Sequence, residues 1–121
     1  MFIINKKTSY KFGIFAEKIC LLWLFFCGYK ILANRYKCFA GEIDIIAIHR
    51  KQLVFIEVKA RAKKQNIEQI LCAKQIYRIK ATANYFVSKN LHLVNFTRRF
   101  DFVEVSFFSI LHQKNFFENR Y

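Results

Sequence analysis

The spacing of apolar residues predicts a long helix near the start of the chain. Over about residues 10–27 the apolar positions recur at the spacing of one helix face, and Gly28 follows, where a helix end favours a left-handed residue. The second half of this segment is apolar on all sides, which predicts burial on more than one side. The predicted core-facing stripe consists of Phe15, Ile19, Leu22, Trp23 and Phe26.

The middle of the chain has the pattern of strands. Residues 29–37 alternate loosely and predict a first strand. Residues 43–48 and 53–58 are β-branched and aliphatic, and the polar stretch 49–52 between them predicts a hairpin with a four-residue loop.

A second helix is predicted over residues 67–87, with Asn66 as its cap and Gln69 at the third position of a capping box. Its apolar stripe consists of Cys72, Ile76, Ile79, Ala83 and Phe86, and Lys74, Arg78 and Tyr85 fall on the opposite face. Residues 91–95 and 100–107 predict two short strands, and a frayed tail is expected from about residue 113.

The resulting order is helix, three strands, helix, two strands, which predicts an α/β fold with at least part of the sheet antiparallel. The chain has no proline, no low-complexity linker and no internal repeat. We therefore expect one domain over residues 1–121, with a core at about 10–107 and frayed ends.

Composition narrows the classes of partner. The 121 residues carry a net charge of +13, and 55% of them are hydrophobic. That apolar share excludes a disordered basic tail, and the charge favours an acidic partner, either nucleic acid or an anionic membrane surface.

The cysteines and the apolar runs argue against a zinc protein, a membrane-spanning protein and a secreted protein. The four cysteines form no C-x-x-C pair and have no histidine at ligand spacing, which argues against zinc and for reduced thiols in the cytoplasm. The longest apolar run, residues 19–27, is far shorter than the roughly 20 residues of a membrane span. A signal peptide is disfavoured because Glu17 precedes this run and no cleavage site follows it.

The predicted hairpin brings acidic side chains together. If Ile48 pairs with Leu53, Asp44 lies opposite Glu57, and alternation places both on one face with Cβ atoms about 5 Å apart. The same register places Glu42 opposite Lys59 on that face. The core face then consists of Ile43, Ile45, Ala47, Val54, Ile56 and Val58.

Two opposed carboxylates repel each other unless a cation lies between them. Hard oxygen ligands favour Mg²⁺ or Mn²⁺ over zinc. Lys59 beside such a cation could orient a water nucleophile or stabilise a phosphorane-like transition state. The alternative is a solvated strand face on which Glu42 and Lys59 form an ordinary ion pair.

These residues carry a resemblance to a known family. Residues 41–47 (Gly-Glu-Ile-Asp-Ile-Ile-Ala) and 54–61 (Val-Phe-Ile-Glu-Val-Lys-Ala-Arg) resemble the core of PD-(D/E)xK nucleases. More closely, they resemble the small bacterial YraN-like family, which is related to archaeal Holliday-junction resolvases and restriction endonucleases. Further matches are residues 33–35 (Ala-Asn-Arg) and 99–101 (Arg-Phe-Asp), and the resemblance covers about residues 10–106.

The resemblance implies a restriction-endonuclease-like core, in which helices flank a mixed central sheet. It also implies that Asp44, Glu57 and the Val58 carbonyl bind magnesium and that Lys59 is the catalytic lysine. Glu17 matches a first-helix glutamate that approaches the metal in resolvase-like relatives, although a surface glutamate near the helix start is equally compatible with the sequence. Ile43 stands where the motif has its proline. Resolvase relatives work as dimers, so the resemblance also allows a homodimer of this chain.

Basic residues surround the predicted centre. We expect them to hold a nucleic-acid backbone through charge and shape rather than base reading. They are Arg50, Lys51, Arg61, Lys63, Lys64, Lys74 and Arg78. Gln75 fits either the site or a helix flank, and Arg99 and Asp101 fit either a structural ion pair or a nucleic-acid contact.

The sequence thus predicts a Mg²⁺- or Mn²⁺-dependent endonuclease-like protein acting on DNA, including branched or structured DNA. The first alternative is a nucleic-acid-binding protein that keeps the fold and does not cleave. The second is a small membrane-associated protein that uses the run at residues 19–27 and the basic N-terminal segment.

Overall fold

A computed structural model describes residues 6–60, 73–107 and 109–116, with residues 6–10 described by their backbone alone. The predicted order of elements is confirmed. The elements are α1 (Lys6–Phe26), β1 (Lys30–Cys38), β2 (Gly41–His49), β3 (Gln52–Ala60), α2 (Ala73–Ser88), a 3-10 turn (Leu91–Leu93), β4 (Thr97–Val105) and β5 (Ile110–Gln113).

The five strands form one mixed sheet in the order β1-β2-β3-β4-β5. Only β3 and β4 are parallel, and the chain segment between them contains α2. The predicted hairpin register is confirmed, because Ile48 pairs with Leu53. The loop is shorter than predicted: His49 pairs with Gln52, and the turn between them is made by Arg50 and Lys51 alone.

The end of the chain differs from the sequence prediction. The strand predicted at residues 91–95 is wrong, because local hydrogen bonds such as Leu93 N–H to the Asn90 carbonyl at 2.9 Å close a 3-10 turn there. Strand β5 was not predicted; it pairs with β4 beyond the end of the predicted core. The predicted helix start, with the Asn66 cap and Gln69, lies outside the described residues.

Helix α1 buries a different face from the predicted one. Ala16, Cys20 and Leu24 are fully buried against the sheet, because their small or slender side chains let the helix approach it closely. Burial raises the pKa of the Cys20 thiol to about 12, with smaller contributions from the charges of Asp44 and Glu17, so Cys20 packs as a small apolar group. The predicted stripe is largely exposed: Phe15, Leu22, Trp23 and Phe26 are 55%, 60%, 41% and 81% exposed.

Helix α2 lies on the other face of the sheet and buries the predicted stripe. Ile76, Ile79, Ala83 and Phe86 are buried and belong to a core cluster with Phe55, Phe102 and other sheet residues. A second cluster, which includes Ile45, Val54 and Ile56, lies under α1. No helix in the described part of the chain has the length and hydropathy to cross a membrane.

A buried ion pair joins the elements at one end of the sheet. Arg99 and Asp101 are 7% and 1% exposed, and two guanidinium nitrogens of Arg99 donate to Asp101 at 2.9 and 2.8 Å. Arg99 also donates to the side chains of Gln52 at 2.8 Å and Tyr29 at 2.5 Å, and His112 Nε2 lies 2.8 Å from Asp101. Arg99 and Asp101 therefore form a structural ion pair, the first of the two interpretations that the sequence allowed.

Replacing Asp101 by asparagine should lower the free energy of unfolding by about 3 kcal/mol at pH 7, because Arg99 would stay buried without its counter-charge. Burial raises the pKa of Asp101, but hydrogen bonds from His112, Arg99 and the Asn115 N–H outweigh it and hold the pKa below 3.8. The stabilisation is therefore complete above about pH 4 and is lost as the pH falls through the depressed pKa.

Urea denaturation of both proteins between pH 3 and pH 7 measures this difference, with the exposed Glu42→Gln as the control. A deficit for Asp101→Asn that is small at pH 7, or that grows toward pH 3, would contradict the assignment.

Candidate metal centre

The pairing of β2 with β3 stops short of the end of both strands. In this hairpin, which the structure describes throughout, the paired residues run from His49–Gln52 to Ile45–Ile56. Beyond that point β2 remains paired with β1, and β3 remains paired with β4. We call the opening between residues 42–44 and 57–59 the fork. Its backbone groups have lost their partner strand and need other partners.

Asp44 supplies one of these partners. Its Oδ2 accepts a hydrogen bond from the Val58 N–H at 2.8 Å, where a backbone carbonyl of β2 would accept in a continuing ladder. In a strand, the N–H and C=O of one residue face the same neighbouring strand. The Val58 carbonyl therefore also faces the fork, on the side of Asp44.

The alternation of side chains breaks beside Asp44. Ile45 belongs to the core cluster under α1, but Ile43 belongs to the cluster under α2. The prediction that both lie on one core face is therefore wrong for Ile43. On the adjoining strand, Arg35 has a left-handed φ of 56° and the register shifts between Ile31 and Ala33. Such irregularities re-aim side chains, and here they leave Asp44 accessible from both faces of the sheet.

Two clefts meet at Asp44. The cleft on the α2 side has a volume of about 450 Å³, and the cleft on the α1 side has a volume of about 420 Å³. Glu42 and Asp44 line both of them. The α2-side cleft is also lined by Gly41, Glu57, Lys74, Gln75, Arg78 and Ile79. The α1-side cleft is also lined by Gly13, Ile14, Glu17, Arg35, Lys37, Val58 and Ala60.

Glu57 is a largely shielded acid whose proton a cation could replace. Its side chain is 12% exposed, and Lys59 Nζ lies 3.8 Å from its Oε1. The pKa of Glu57 is raised from 4.5 to about 9. Burial is the largest cause, the charge of Asp44, a hydrogen bond to Asp44 and the charge of Glu42 add to it, and Lys59 opposes it. At neutral pH Glu57 therefore holds a proton in the metal-free protein, as expected of a shielded acid beside a second carboxylate.

These oxygens fit a hard divalent cation. Two carboxylates and one carbonyl are a ligand set that Mg²⁺ accepts when water completes its coordination. Within the described residues, no group of three or more His, Cys, Asp or Glu side chains is placed to hold a metal ion. A divalent cation at this position would therefore be held by three protein groups: the carboxylates of Asp44 and Glu57 and the Val58 carbonyl.

Glu17 lies inside the α1-side cleft. Its side chain is 12% exposed, so it does not behave as a surface glutamate at the helix start. Its carboxylate pairs with Arg35 Nε at 3.1 Å and shares the cleft with Asp44. Glu17 is thus near Asp44, but it reaches that residue from the face of the sheet opposite to Glu57.

The predicted basic residues divide into three groups. Lys74 and Arg78 are exposed on α2 and line the same cleft as Glu57. Arg50 and Lys51 form the hairpin turn, about 20 Å from Asp44 at the usual rise of a strand, and so lie away from the fork. Arg61, Lys63 and Lys64 lie outside the described residues.

Sequence reasoning missed Glu104 and left Gln75 open. Gln75 lines the α2-side cleft. Glu104 is 5% exposed, neither carboxylate oxygen has a hydrogen-bond partner, and the residue pairs with Lys59 across β3 and β4. A buried acid without a partner beside a lysine is often linked to function. Its signal in the sequence was an acid within an otherwise apolar stretch, residues 102–105.

The mixed sheet between two helices, with Asp44, Glu57 and Lys59 at the fork, defines a protein of the PD-(D/E)xK nuclease-like superfamily. Residues 16–105 match the model of the Uncharacterised protein family UPF0102, which is the YraN-like family. The chain belongs to this family, and the resemblance inferred from the sequence is confirmed.

Individual members of the family are similar over most of their length. The UPF0102 protein of Rhodopseudomonas palustris (strain HaA2) is 37% identical over 102 residues, which are 84% of this chain and 80% of that protein. The UPF0102 protein of Caldanaerobacter subterraneus subsp. tengcongensis is 39% identical, over 84% of this chain and 82% of that protein. The UPF0102 protein of Ehrlichia ruminantium (strain Gardel) is 40% identical, over 87% and 80% respectively.

Glu57→Gln should stabilise the metal-free protein, increasingly so as the pH rises. The folded protein holds a proton on Glu57 that the unfolded chain releases near pH 4.5, so wild-type stability falls as the pH rises from about 4.5 toward 9. Glutamine keeps the shape of the side chain and removes this loss. We expect a gain of at least about 1 kcal/mol at pH 8.5 and a much smaller one at pH 5.

Urea denaturation in EDTA at these two pH values tests the assignment, with the exposed Lys30→Gln, away from both clefts, as the control. Equal stability of Glu57→Gln and wild type at pH 8.5 would show that the two carboxylates do not interact as described.

Proposed function

We propose that this protein is a Mg²⁺- or Mn²⁺-dependent endonuclease-like hydrolase of DNA phosphodiesters, including branched or structured DNA. The observation that carries the proposal is the pair of carboxylates at the fork, with Lys59 Nζ 3.8 Å from Glu57. Two ionised carboxylates held this close, and partly shielded from water, repel each other and lower the stability of the protein unless a cation lies between them. Perturbed acids in a cleft are typical of functional sites.

The cation would be held by Asp44, Glu57 and the Val58 carbonyl. When bound, it would supply Lewis-acid chemistry and a water of lowered pKa. Asp44 is held in place by the Val58 N–H, so one ligand is fixed before any cation arrives. Glu57 must release its proton to become a ligand, which makes metal affinity rise with pH.

Lys59 supports the reaction by charge. Its ammonium lies 3.8 Å from Glu57 Oε1, from where it would orient the nucleophilic water and stabilise negative charge that develops on the phosphate. Lys74 and Arg78 of α2 lie across the same cleft and hold the DNA backbone by charge, without base readout.

Cleavage assays on the purified chain test this function. We expect Mg²⁺- or Mn²⁺-dependent cleavage of at least one member of a panel of linear, flapped and four-way DNA. Glu57→Ala and Lys59→Ala should each lower the rate at least about a hundredfold, since each removes a group that acts in the transition state. DNA affinity measured in EDTA should stay the same or rise in Glu57→Ala, because the substitution removes none of the cations that hold the DNA backbone.

Lys30→Ala is the matched control, because this exposed lysine begins β1 away from both clefts. Activity that survives in Glu57→Ala would point to a contaminating nuclease. Absence of both cleavage and metal binding by calorimetry, with DNA binding retained, would leave the non-cleaving nucleic-acid-binding protein as the function.

A further inference from the structure

The turn between β1 and β2 carries a phenylalanine that the fold does not bury. Phe39 is 88% exposed, in a turn where glycine, asparagine, aspartate or serine is usual. Its ring lies 5.1 Å from that of Tyr85 on α2, at an interplanar angle of 89°. An aromatic side chain this exposed adds little to the hydrophobic core, so stability does not account for it.

A cationic side chain lies on each side of the Phe39–Tyr85 pair. Lys89 Nζ lies 5.5 Å from the centre of the Tyr85 ring on the side away from the fork. Toward the fork, the turn packs onto α2: a Cβ atom at Gly41 would lie 3.6 Å from the Cβ of Arg78. Arg78 in turn lines the cleft that contains Glu57.

We call the row Lys74, Arg78, Phe39, Tyr85 and Lys89 the aromatic stripe. From Arg78 to Lys89 it extends about 16 Å along the axis of α2, which is the rise of about five stacked nucleotides. It begins at the candidate metal centre and leads away from it over the surface of one helix.

We propose that the aromatic stripe binds an unpaired strand of nucleic acid next to the scissile phosphate, so that the substrate is DNA with a single-stranded arm. This inference rests on the proposed nuclease function. An exposed ring flanked by cations is the chemistry of single-strand binding, since cations hold phosphates and rings stack on bases. In the aromatic stripe the exposed ring is that of Phe39, and the half-buried Tyr85 supports it from α2. A duplex keeps its bases stacked on one another, so it can use the cations of the stripe but not Phe39.

The test is a binding measurement without metal ions, so that cleavage plays no part in it. Fluorescence anisotropy in EDTA at one fixed salt concentration compares a labelled 20-nucleotide oligo(dT) with a labelled 20-base-pair duplex. Phe39→Ala should weaken oligo(dT) binding at least about fivefold and change duplex binding less than about twofold. Phe39→Trp should restore oligo(dT) binding. Because Phe39 is exposed, the variants should melt within a degree or two of wild type.

Phe26→Ala is the matched control. Phe26 is 81% exposed, but it lies on α1, on the other face of the sheet. The inference is overturned if Phe39→Ala binds oligo(dT) like wild type, if it loses oligo(dT) and duplex equally, or if Phe26→Ala causes the same loss.

The two proposals fail in different ways. Cleavage that depends on Glu57, together with no effect of Phe39→Ala on oligo(dT) binding, overturns the stripe and leaves the nuclease. A loss confined to oligo(dT) in Phe39→Ala, together with no cleavage under any metal, supports the stripe as a binding site and overturns the nuclease.

Discussion

The separation of β2 from β3 at Asp44 is the constraint on which the site depends. A strand pair that continued to its end would satisfy its backbone groups by pairing and would leave no opening between the strands. Here Asp44 satisfies the Val58 N–H with its own carboxylate, so the sheet can open without leaving that donor unpaired. Asp44 and Glu57 lie together at this opening, where burial, with a further contribution from the charge of Asp44, raises the pKa of Glu57 to about 9.

The two helices give this opening its two sides. Helix α1 approaches the sheet closely through Ala16 and Cys20, which places Glu17 of the same helix beside Asp44. Helix α2 packs on the opposite face and presents Lys74 and Arg78 to Glu57. Asp44 and Glu57 thus lie partly shielded within the clefts, whereas Lys74 and Arg78 are exposed beside them, an arrangement that suits a polyanionic ligand.

Much of the fold and the centre of the site could be predicted from local pattern. The hairpin register follows from alternation and the position of one polar turn, and it was predicted correctly even though the turn is two residues shorter. Alternation also predicted Asp44 and Glu57 as neighbours, with Lys59 beside them. It could not predict that Ile43 belongs to the cluster under α2, because a regular alternation places Ile43 on the same face as Ile45.

The remaining errors arise where the local pattern is ambiguous. An all-round apolar helix has no preferred face by hydrophobicity, so the face of α1 that packs was decided by side-chain size and not by the core-facing stripe that the spacing predicted for this helix. A four-residue strand such as β5 has too few residues for its alternation to be distinguished from a tail. The position of Glu104 beside Lys59 could not be predicted, because the two residues are far apart along the chain and meet only through the pairing of β3 with β4.

The sequence by itself determined the class of fold, the register of the hairpin and the acids at its centre, since all of these follow from residues close together along the chain. Only the tertiary structure decided that Asp44 opens to both faces and that Arg50 lies far from the fork. It also decided that Phe39 meets Tyr85 beside the cleft. These features depend on contacts between segments far apart in sequence, and periodicity carries no information about such contacts.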